Sequence, residues 1–280
     1  MDYSLTTFAD EAARGANKAD PYQLNCRNGV LSLRGGVASP GGWDDLLSYS
    51  SPVEYHPEAT SDLWENFLQD TTGGDRELAA FLRRACGYSL TGSVKERVLF
   101  YIYGPGATGK SAFIETFKAV LGGYAVAVDT EALVFDSRAV ISRRKPGGPM
   151  LAHLEGRRLA IAPARERGLK LSAKLVKQLT SGALVSARQP YCKPREFKLN
   201  CKFWFNGNFK PAIDSDDTAR RILQIPFENV ISEGSRNTKL KAELRKPEHL
   251  QAVLAWAVRG CLEWQSDGLK PPDLLQEQEP

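Results

Sequence analysis

The sequence has no run of apolar residues that approaches the about 18 needed for a membrane-spanning helix. Residues 1–15, MDYSLTTFADEAARG, show no basic stretch followed by an apolar one, which is the pattern of a secretory signal. Cysteine and histidine are also sparse: the five cysteines form no C-x-x-C pair, and no histidine stands at the spacing of a zinc site. These absences argue against a membrane partner, a disulfide framework and structural zinc, and we expect a cytoplasmic protein with reduced thiols.

The composition is that of a globular chain. Hydrophobic residues make up 42% and charged residues 25% of the 280 residues, so we expect a sizeable core in one large domain or a domain with an appendage. The formal net charge of +4 is weak evidence for a polyanionic partner. The distribution of charge along the chain is more informative about such a partner, because 137–148 and 188–198 are locally basic whereas 271–280 is acidic. Basic stretches of this kind are either solvated faces or contacts for nucleic acid.

The N-terminal third predicts a small, mainly helical module. LNCRNGVLSLRGG at 24–36 is typical of a hairpin, in which Asn28 and Gly29 supply the positive φ angles of a tight turn. The GVASPGGWDD segment that follows predicts a loop. The polar, alanine-rich composition of 1–22 predicts a short helix, and apolar spacing predicts two more, covering 61–70 with Ser61 or Asp62 as cap, and 75–92.

The remainder alternates between strand and helix patterns. RVLFYIYG at 97–104 is a short apolar run typical of a buried parallel strand, and KSAFIETFKAVLGG at 110–123 predicts an amphipathic helix. RRLAIAPA at 157–164 predicts a second buried strand. The later predicted elements are a helix over 172–182, a β pair at 183–191 and 195–208, a strand over 220–231 and a helix over 236–264. The pattern therefore predicts an α/β core with a parallel sheet flanked by helices.

Between the first strand and its helix stands GPGATGKS, which fits the phosphate-binding motif G-x-x-x-x-G-K-S. Glycines let backbone N–H groups approach phosphates, and the positive end of the next helix points at them. Lys110 would neutralise β- and γ-phosphate charge, and the Ser111 hydroxyl would ligate Mg²⁺. The alternative is a plain glycine-rich turn. The residues predicted to hold ATP are Gly104, Pro105, Gly106, Ala107, Thr108, Gly109, Lys110, Ser111 and Ala112.

The order of landmarks around this loop resembles the phage and plasmid primase–helicases of the D5/P4 type, which are superfamily 3 helicases of the AAA+ class. The segments that carry the resemblance are LNCRNGVLSLRGG, VEYHPEATSDLWENFL, DRELAAFLRRACGYSLTG, KLVKQLTSG with SAR, NFKPAI and ARRILQIPF. It implies an accessory domain over 1–92, a P-loop ATPase core over 93–266 and a linker-like tail over 267–280.

The resemblance also implies roles for residues after the loop. Asn208 would be the sensor group near the γ-phosphate and the attacking water. Arg220 or Arg221 would be an arginine finger that reaches the ATP site of a neighbouring subunit, which requires a ring, in this family usually a hexamer. The alternative for this pair is a surface position flanking a strand.

The basic segment 188–198 would lie on a hairpin that lines the central channel of the ring. Arg188, Lys193 and Arg195 could then hold backbone phosphates of DNA, and Tyr191 could stack on a base. The alternative is an exposed, solvated turn.

The match breaks at two acidic positions. In the family the second strand ends in an acidic patch that orders Mg²⁺ and polarises the attacking water. Here Ala164 holds the first expected carboxylate position and only Glu166 remains, and Ala183 stands where an aspartate is common. Two interpretations follow. Either Glu166 orients the metal and serves as general base, or the site binds ATP and hydrolyses it poorly.

Three functions remain on the sequence alone. The first is an ATP-dependent DNA helicase core of a mobile element's replication protein, working in the host cytoplasm beside a primase or polymerase domain. The second is an oligomeric ATP- and DNA-binding module with a degenerate active site. The third, a P-loop kinase of small molecules, has no support from the second half of the chain. The Pro271-Pro272 linker pattern predicts a fragment or a reduced form of a larger protein.

Overall fold

The structure is a computed structural model that describes residues 20–41, 47–141, 147–164, 171–213, 215–235 and 237–275. The first elements are three short antiparallel strands, β1 (Gln23–Cys26), β2 (Gly29–Ser32) and β3 (Val37–Ser39). The predicted hairpin is confirmed, but the loop prediction is wrong at β3, because three residues carry too little pattern to stand out among glycines and prolines. Most of the helix predicted for 1–22 lies outside the described residues.

The hairpin turn differs from the predicted one in detail. Cys26 pairs with Gly29, so the two turn residues are Arg27 and Asn28, and of the predicted pair only Gly29 has a positive φ, of 138°. A Cβ at this glycine would lie 2.4 Å from a backbone oxygen of β3. The Asn28 side chain instead makes two hydrogen bonds with the backbone of Tyr55, at 2.9 and 3.0 Å. The asparagine therefore anchors the turn to the following segment.

Two helices complete the N-terminal module. Helix α1 (Asp62–Thr72) begins at Ser61, whose hydroxyl accepts from the Trp64 N–H at 3.1 Å, and α2 (Arg76–Leu90) begins at Asp75, whose carboxylate accepts two N–H groups of the first turn. Both helices were predicted from their apolar spacing, and both are confirmed.

Five parallel strands form the central sheet. They are β4 (Leu99–Tyr103), β5 (Ala125–Ala127), β6 (Leu159–Ala164), β9 (Lys202–Gly207) and β10 (Ile222–Pro226), and the antiparallel pair β7 (Leu184–Ala187) and β8 (Arg195–Lys198) lies between β6 and β9 in the chain. The order across the sheet is β10-β4-β9-β6-β5. Because β4 lies inside the sheet, its side chains are buried on both faces, which explains its unbroken apolar sequence. The predicted parallel α/β core is confirmed.

The remaining helices flank this sheet. They are α3 (Lys110–Leu121), α4 (Thr130–Ile141), α5 (Pro149–Ala152), α6 (Ala173–Thr180), α7 (Asp216–Ala219), α8 (Leu240–Glu243) and α9 (Pro247–Asp267). The helix predicted over 236–264 is divided, because Pro247 starts a new helix. The strand predicted over 195–208 is also divided: the Lys202 N–H bonds the Arg158 carbonyl, so the chain leaves the hairpin and enters the central sheet. The sequence reading missed β5 and α4.

Apolar side chains cover both faces of the sheet. Phe100, Ile102 and Trp204 pack with α1, α2, α3 and α9 on one face, while residues of α4, α6 and the β7–β8 hairpin pack on the other. The N-terminal helices therefore share a core with the sheet. The domain boundaries at 92 and 266 stay predictions. Across the residues that the structure describes, no helix has the length and apolar character to cross a membrane.

Candidate nucleotide-binding site

The predicted phosphate loop joins the carboxyl end of β4 to the first turn of α3. Its glycines are required by packing: a Cβ at Gly104, where φ is 142°, would lie 2.0 Å from the Phe227 carbonyl oxygen, and a Cβ at Gly109, where φ is 86°, would lie 2.6 Å from Thr71 Oγ1. Gly106 faces open space, with no atom within 4 Å of a built Cβ. The predicted strand–loop–helix arrangement is therefore present, with the loop exposed between two tightly packed glycines.

The loop presents unpaired donors. Within the described residues, the backbone N–H groups of 106–112 donate no hydrogen bond, and α3 adds the positive end of its 12-residue dipole. Lys110 Nζ donates to the carbonyls of Gly104 at 2.6 Å and Pro105 at 2.5 Å, and to Thr108 Oγ1 at 3.2 Å. Burial lowers the pKa of this lysine. Convergent N–H donors beside an ammonium group suit a phosphate chain.

The segment that follows β10 holds the loop in place and also contacts α1. The Ile231 N–H donates to the Ala107 carbonyl at 3.0 Å, which fixes the tip of the loop against the segment that follows β10. The Asn229 side chain of that segment donates to the Asp70 carbonyl in the last turn of α1. The N-terminal module is thus connected to the loop through hydrogen bonds as well as through apolar packing.

Of the two residues expected to hold Mg²⁺, only Ser111 lies among the described residues. Ser111 lies exposed in the first turn of α3, where its hydroxyl fits Mg²⁺ bound to phosphate oxygens. Ala164 is buried at the carboxyl end of β6 and pairs with Gly207, so no carboxylate reaches the site from this position. Glu166 lies outside the described residues. The described residues contain no group of three or more His, Cys, Asp or Glu side chains that could hold a metal by themselves.

The sensor prediction fell on one of two asparagines. Asn208 is exposed just after β9, whereas Asn206 lies within β9, between Ile102 of β4 and Pro163 of β6. Asn206 Oδ1 is buried and has no hydrogen-bond partner in the described part of the chain. A buried polar atom of this kind needs an explanation, so Asn206 joins Asn208 as a sensor candidate. The sequence NGN at 206–208 showed two candidate asparagines, but it did not show which of them lies within the strand.

The structure separates Arg220 and Arg221 from the loop of their own chain. They precede Ile222, which pairs with Leu99 at the amino end of β4, so they lie at the sheet edge opposite Lys110. Arg221 Nη1 donates to Thr180 Oγ1 at 3.3 Å, whereas Arg220 is exposed. The structure thus distinguishes two residues that the sequence left equivalent.

Ala183 also lies toward the amino edge rather than beside the phosphate loop. Its carbonyl accepts from the Leu199 N–H at 3.2 Å, and a Cβ at the preceding Gly182 would lie 2.6 Å from Val94 Cγ2, ahead of β4. The position where an aspartate is common in the family therefore lies on the amino side of the sheet in this chain, and its place near the chemistry of a neighbouring subunit stays a prediction.

The predicted basic hairpin is present as β7 and β8 with their connecting loop. Tyr191 stands fully exposed at its tip with φ at 62°, a left-handed conformation that is uncommon for a large side chain. Arg188 and Lys193 are exposed, while Arg195 is partly buried near Glu155. Burial raises the pKa of the Glu155 carboxyl, and the Arg195 cation partly offsets that effect. An aromatic ring therefore projects among cations, clear of the core.

Comparison with known proteins adds an independent line of evidence. The family model described as "D5 N terminal like" matches residues 16–73, and that of a family of unknown function, DUF5906, matches residues 102–221. The N-terminal match agrees with the resemblance to D5-type primase–helicases that the sequence motifs carry. The two matches fall on the N-terminal module and on the sheet that carries the phosphate loop.

Two viral proteins are similar over most of the chain. "Putative helicase L207/L206" of Acanthamoeba polyphaga mimivirus is 27% identical over 238 residues, and "Putative helicase 022R" of Frog virus 3 is 28% identical over 240 residues. The matches cover 82% and 79% of this chain. The chain spans only 24% of the length of either relative.

Solved structures of the NrS-1 C-terminal region share the fold. Two of them align with TM-scores of 0.56 and 0.57 at 17% identity, covering 76% and 80% of this chain. The aligned part is 49% and 54% of those chains. At this identity the likeness concerns the fold alone.

Proposed function

We propose that the chain is the ATP-dependent helicase or translocase core of a phage or plasmid replication protein, acting on DNA as a hexameric ring. The observation that carries the proposal is the placement of the phosphate loop and the exposed Arg220 at opposite edges of one sheet. An arginine so placed can complete an ATP site only in a neighbouring copy. The names of the two viral relatives and the relation to D5-type proteins support the same function.

Within one subunit, the phosphate loop would hold ATP. The N–H groups of 106–112 would bind the phosphates, Lys110 would exchange its loop carbonyls for phosphate oxygens, and Ser111 would ligate Mg²⁺. Bound Mg²⁺ would neutralise charge on the transferring phosphoryl group. Glu166 would orient the attacking water, and Asn206 or Asn208 would contact the γ-phosphate from the adjacent strand end.

The neighbouring subunit would supply Arg220. A guanidinium in trans stabilises the charge that develops on the phosphoryl group and couples hydrolysis to the subunit interface. Arg221 would instead hold its own subunit together, because it bonds Thr180 at the end of α6. This division of roles between adjacent arginines is testable.

The hairpin would contact DNA. Arg188, Lys193 and Arg195 would bind backbone phosphates, and Tyr191 would stack on a base without sequence preference. Movement of this hairpin with the nucleotide state of the ring would advance one strand.

A second candidate function is nucleotide-dependent DNA binding with little or no hydrolysis. Buried Ala164 favours it, because a carboxylate at the end of β6 is absent from the water-activating side of the site. Loss of water activation leaves phosphate binding in place, so the two activities can separate. In this case ATP would control ring assembly and DNA retention.

A mixing experiment tests the ring and the trans arginine together. ATP turnover is measured with single-stranded DNA for the wild type, Lys110→Ala, Arg220→Ala and an equimolar mixture of the two variants. We expect each variant to be inactive and the mixture to regain turnover, because some interfaces pair an intact loop with an intact arginine. Arg221→Lys, which keeps a cation beside Thr180, is the matched control and should retain turnover.

Other outcomes decide between the candidates. Equal turnover by the wild type and Lys110→Ala would eliminate the enzyme. Salt-sensitive, ATP-dependent DNA retention without turnover or strand separation would favour the second function. If the particle mass remained that of a monomer with an ATP analogue and DNA present, Arg220 would have no ATP site in a neighbouring subunit to reach.

A further inference from the structure

Thr71, in the last turn of α1, is a buried hydroxyl that the packing of the core does not explain. The residue is 1% exposed, and within the described part of the chain its Oγ1 has no hydrogen-bond partner. The next residue, Thr72, shows the usual arrangement, since its hydroxyl donates to the Leu68 carbonyl at 2.9 Å. Two adjacent threonines on one helix thus differ: one hydroxyl is satisfied locally and the other is not.

The unpartnered hydroxyl lies against the phosphate loop. Thr71 Oγ1 is 2.6 Å from the position that a Cβ of Gly109 would occupy, and Phe67 Cε2, one turn earlier on α1, is 2.9 Å from it. Gly109 is the N-cap residue of α3. Because glycine has no side chain, no side-chain hydrogen bond caps that helix. The hydroxyl therefore lies next to Gly109, the residue that joins the loop to Lys110.

The same helix contacts α3 and the segment that bonds the loop tip through two residues that precede Thr71. Trp64 stacks on Phe113 of α3 with ring centroids 5.8 Å apart, and the Asp70 carbonyl accepts from Asn229 in the segment that bonds the loop tip. Backbone shifts in the loop at Gly109 must consequently be accommodated by α1.

We propose that Thr71 is a positioning residue of the nucleotide site: its hydroxyl bonds the Gly109–Lys110 backbone when the loop closes on phosphate. A hydroxyl can donate as well as accept, and the Gly109 carbonyl, which accepts one hydrogen bond from the Phe113 N–H at 2.9 Å, has a second lone pair for it, so the loop N–H groups stay available for phosphate. Helix α1 of the N-terminal module would thereby respond to nucleotide binding. The proposal rests on the proposed binding of nucleotide at the loop.

The test compares matched threonine variants by two measurements. Thr71→Val removes the hydroxyl and keeps the shape, Thr71→Ser keeps the hydroxyl, and Thr72→Val removes the satisfied hydroxyl next to it. For each, the dissociation constant of a fluorescent ADP analogue with Mg²⁺ and the unfolding midpoint without nucleotide are measured. Wild type and Lys110→Ala establish that the analogue binds at the loop.

We expect Thr71→Val to raise the dissociation constant by about fivefold, the value of one hydrogen bond. Its unfolding midpoint should stay the same or rise, because an unsatisfied polar atom has been removed. Thr71→Ser should bind like the wild type. Thr72→Val should lower the unfolding midpoint and leave the dissociation constant unchanged.

The failures are distinguishable. Wild-type affinity in Thr71→Val, with binding abolished in Lys110→Ala, would overturn the role of Thr71 and leave the nucleotide site intact. Equal weakening in Thr71→Val and Thr72→Val would also overturn it, since both losses would then reflect a loosened helix. Absence of binding in the wild type would overturn the proposed function itself.

Discussion

Two buried lysines at opposite edges of the central sheet bond backbone carbonyls in the same manner, but their surroundings differ. Lys110 lies at the carboxyl edge and bonds carbonyls of the phosphate loop, whereas Lys202 lies at the amino edge and bonds the carbonyls of Thr91, Ser93 and Asn200. Burial lowers the pKa of both. The hydrogen bonds of the lysine alone therefore do not identify a functional site.

At the amino edge the acceptors are the end of a helix and the segment after it. Thr91 caps the carboxyl end of α2, where backbone carbonyls carry partial negative charge. Arg158 acts in parallel: its guanidinium donates to the carbonyls of Leu90 and Gln23 and lies 4.5 Å from the centre of the Tyr124 ring. These two cations join the N-terminal module to the first residues of β6 and β9.

At the carboxyl edge the lysine has a different set of neighbours. The N–H groups of 106–112 have no acceptor among the described residues, and Gly106 faces open space. Unpaired donors in an exposed loop can bind an anion, while an ammonium enclosed by carbonyls and core side chains cannot. The unsatisfied donors beside a lysine, rather than the lysine itself, therefore indicate an anion-binding site.

The comparison is tested most strongly by removing Lys110. Lys110→Ala should raise the dissociation constant of an ATP analogue by about 100-fold, because two phosphate groups lose their cation. The free energy of unfolding without nucleotide should fall by less than about 1 kcal/mol, since Pro105, whose carbonyl is one of the two acceptors, is exposed to water. Titration calorimetry and urea unfolding measure the two quantities. A large loss of stability with unchanged affinity would assign Lys110 to the same class as Lys202.

Removing Lys202 should have the reverse effect. Lys202→Met keeps the volume but leaves buried carbonyls without a donor, so we expect the free energy of unfolding to fall by about 2 kcal/mol. Nucleotide affinity should be unchanged, because the residue lies at the far edge of the sheet. The exposed Lys198, four residues earlier on β8, provides the control: Lys198→Met should alter neither quantity. Weakened nucleotide binding in Lys202→Met alone would remove the distinction between the edges.

Sequence patterns predicted the carboxyl edge well. A continuous apolar strand, a glycine-rich loop and an amphipathic helix are each legible locally, and the structure joins them as expected around Lys110. The departure at Ala164 was also visible, because a strand end can be counted from its apolar run. These features depend on neighbours within a few residues in the chain.

The amino edge could not be predicted in the same way. Lys202 and Arg158 precede apolar strands and read as exposed cations, yet their acceptors lie 111 and 68 residues away, at Thr91 and Leu90. The position of Arg220 opposite the loop likewise follows from the pairing of β10 with β4, which local pattern does not contain. The environments of these three residues depend on contacts between segments that lie far apart in the sequence.

The smallest effect we predict is a pH dependence specific to the amino edge. Burial first, and then the Arg158 cation, lower the pKa of Lys202 from 10.5 to about 7 in the folded chain. Between these values the unfolded chain keeps a proton that the folded chain has lost, so stability should rise with pH above about 7. The buried thiols of Cys201 and Cys261 act oppositely, because burial raises their pKa from 9.0 to about 12 and their unfolded forms ionise first.

The useful interval is therefore about pH 7 to about pH 8.5, above the folded pKa of Lys202 and below the range where unfolded thiols ionise. Urea unfolding of the wild type across this interval should show a gain of about 1.6 kcal/mol relative to Lys202→Met, in which the titrating group is absent. Lys110→Ala should retain most of that gain, since Lys202 is intact. If the gain disappeared in Lys110→Ala and persisted in Lys202→Met, the proton released on folding would belong to the phosphate loop, and the carboxyl edge would be the pH-sensitive one.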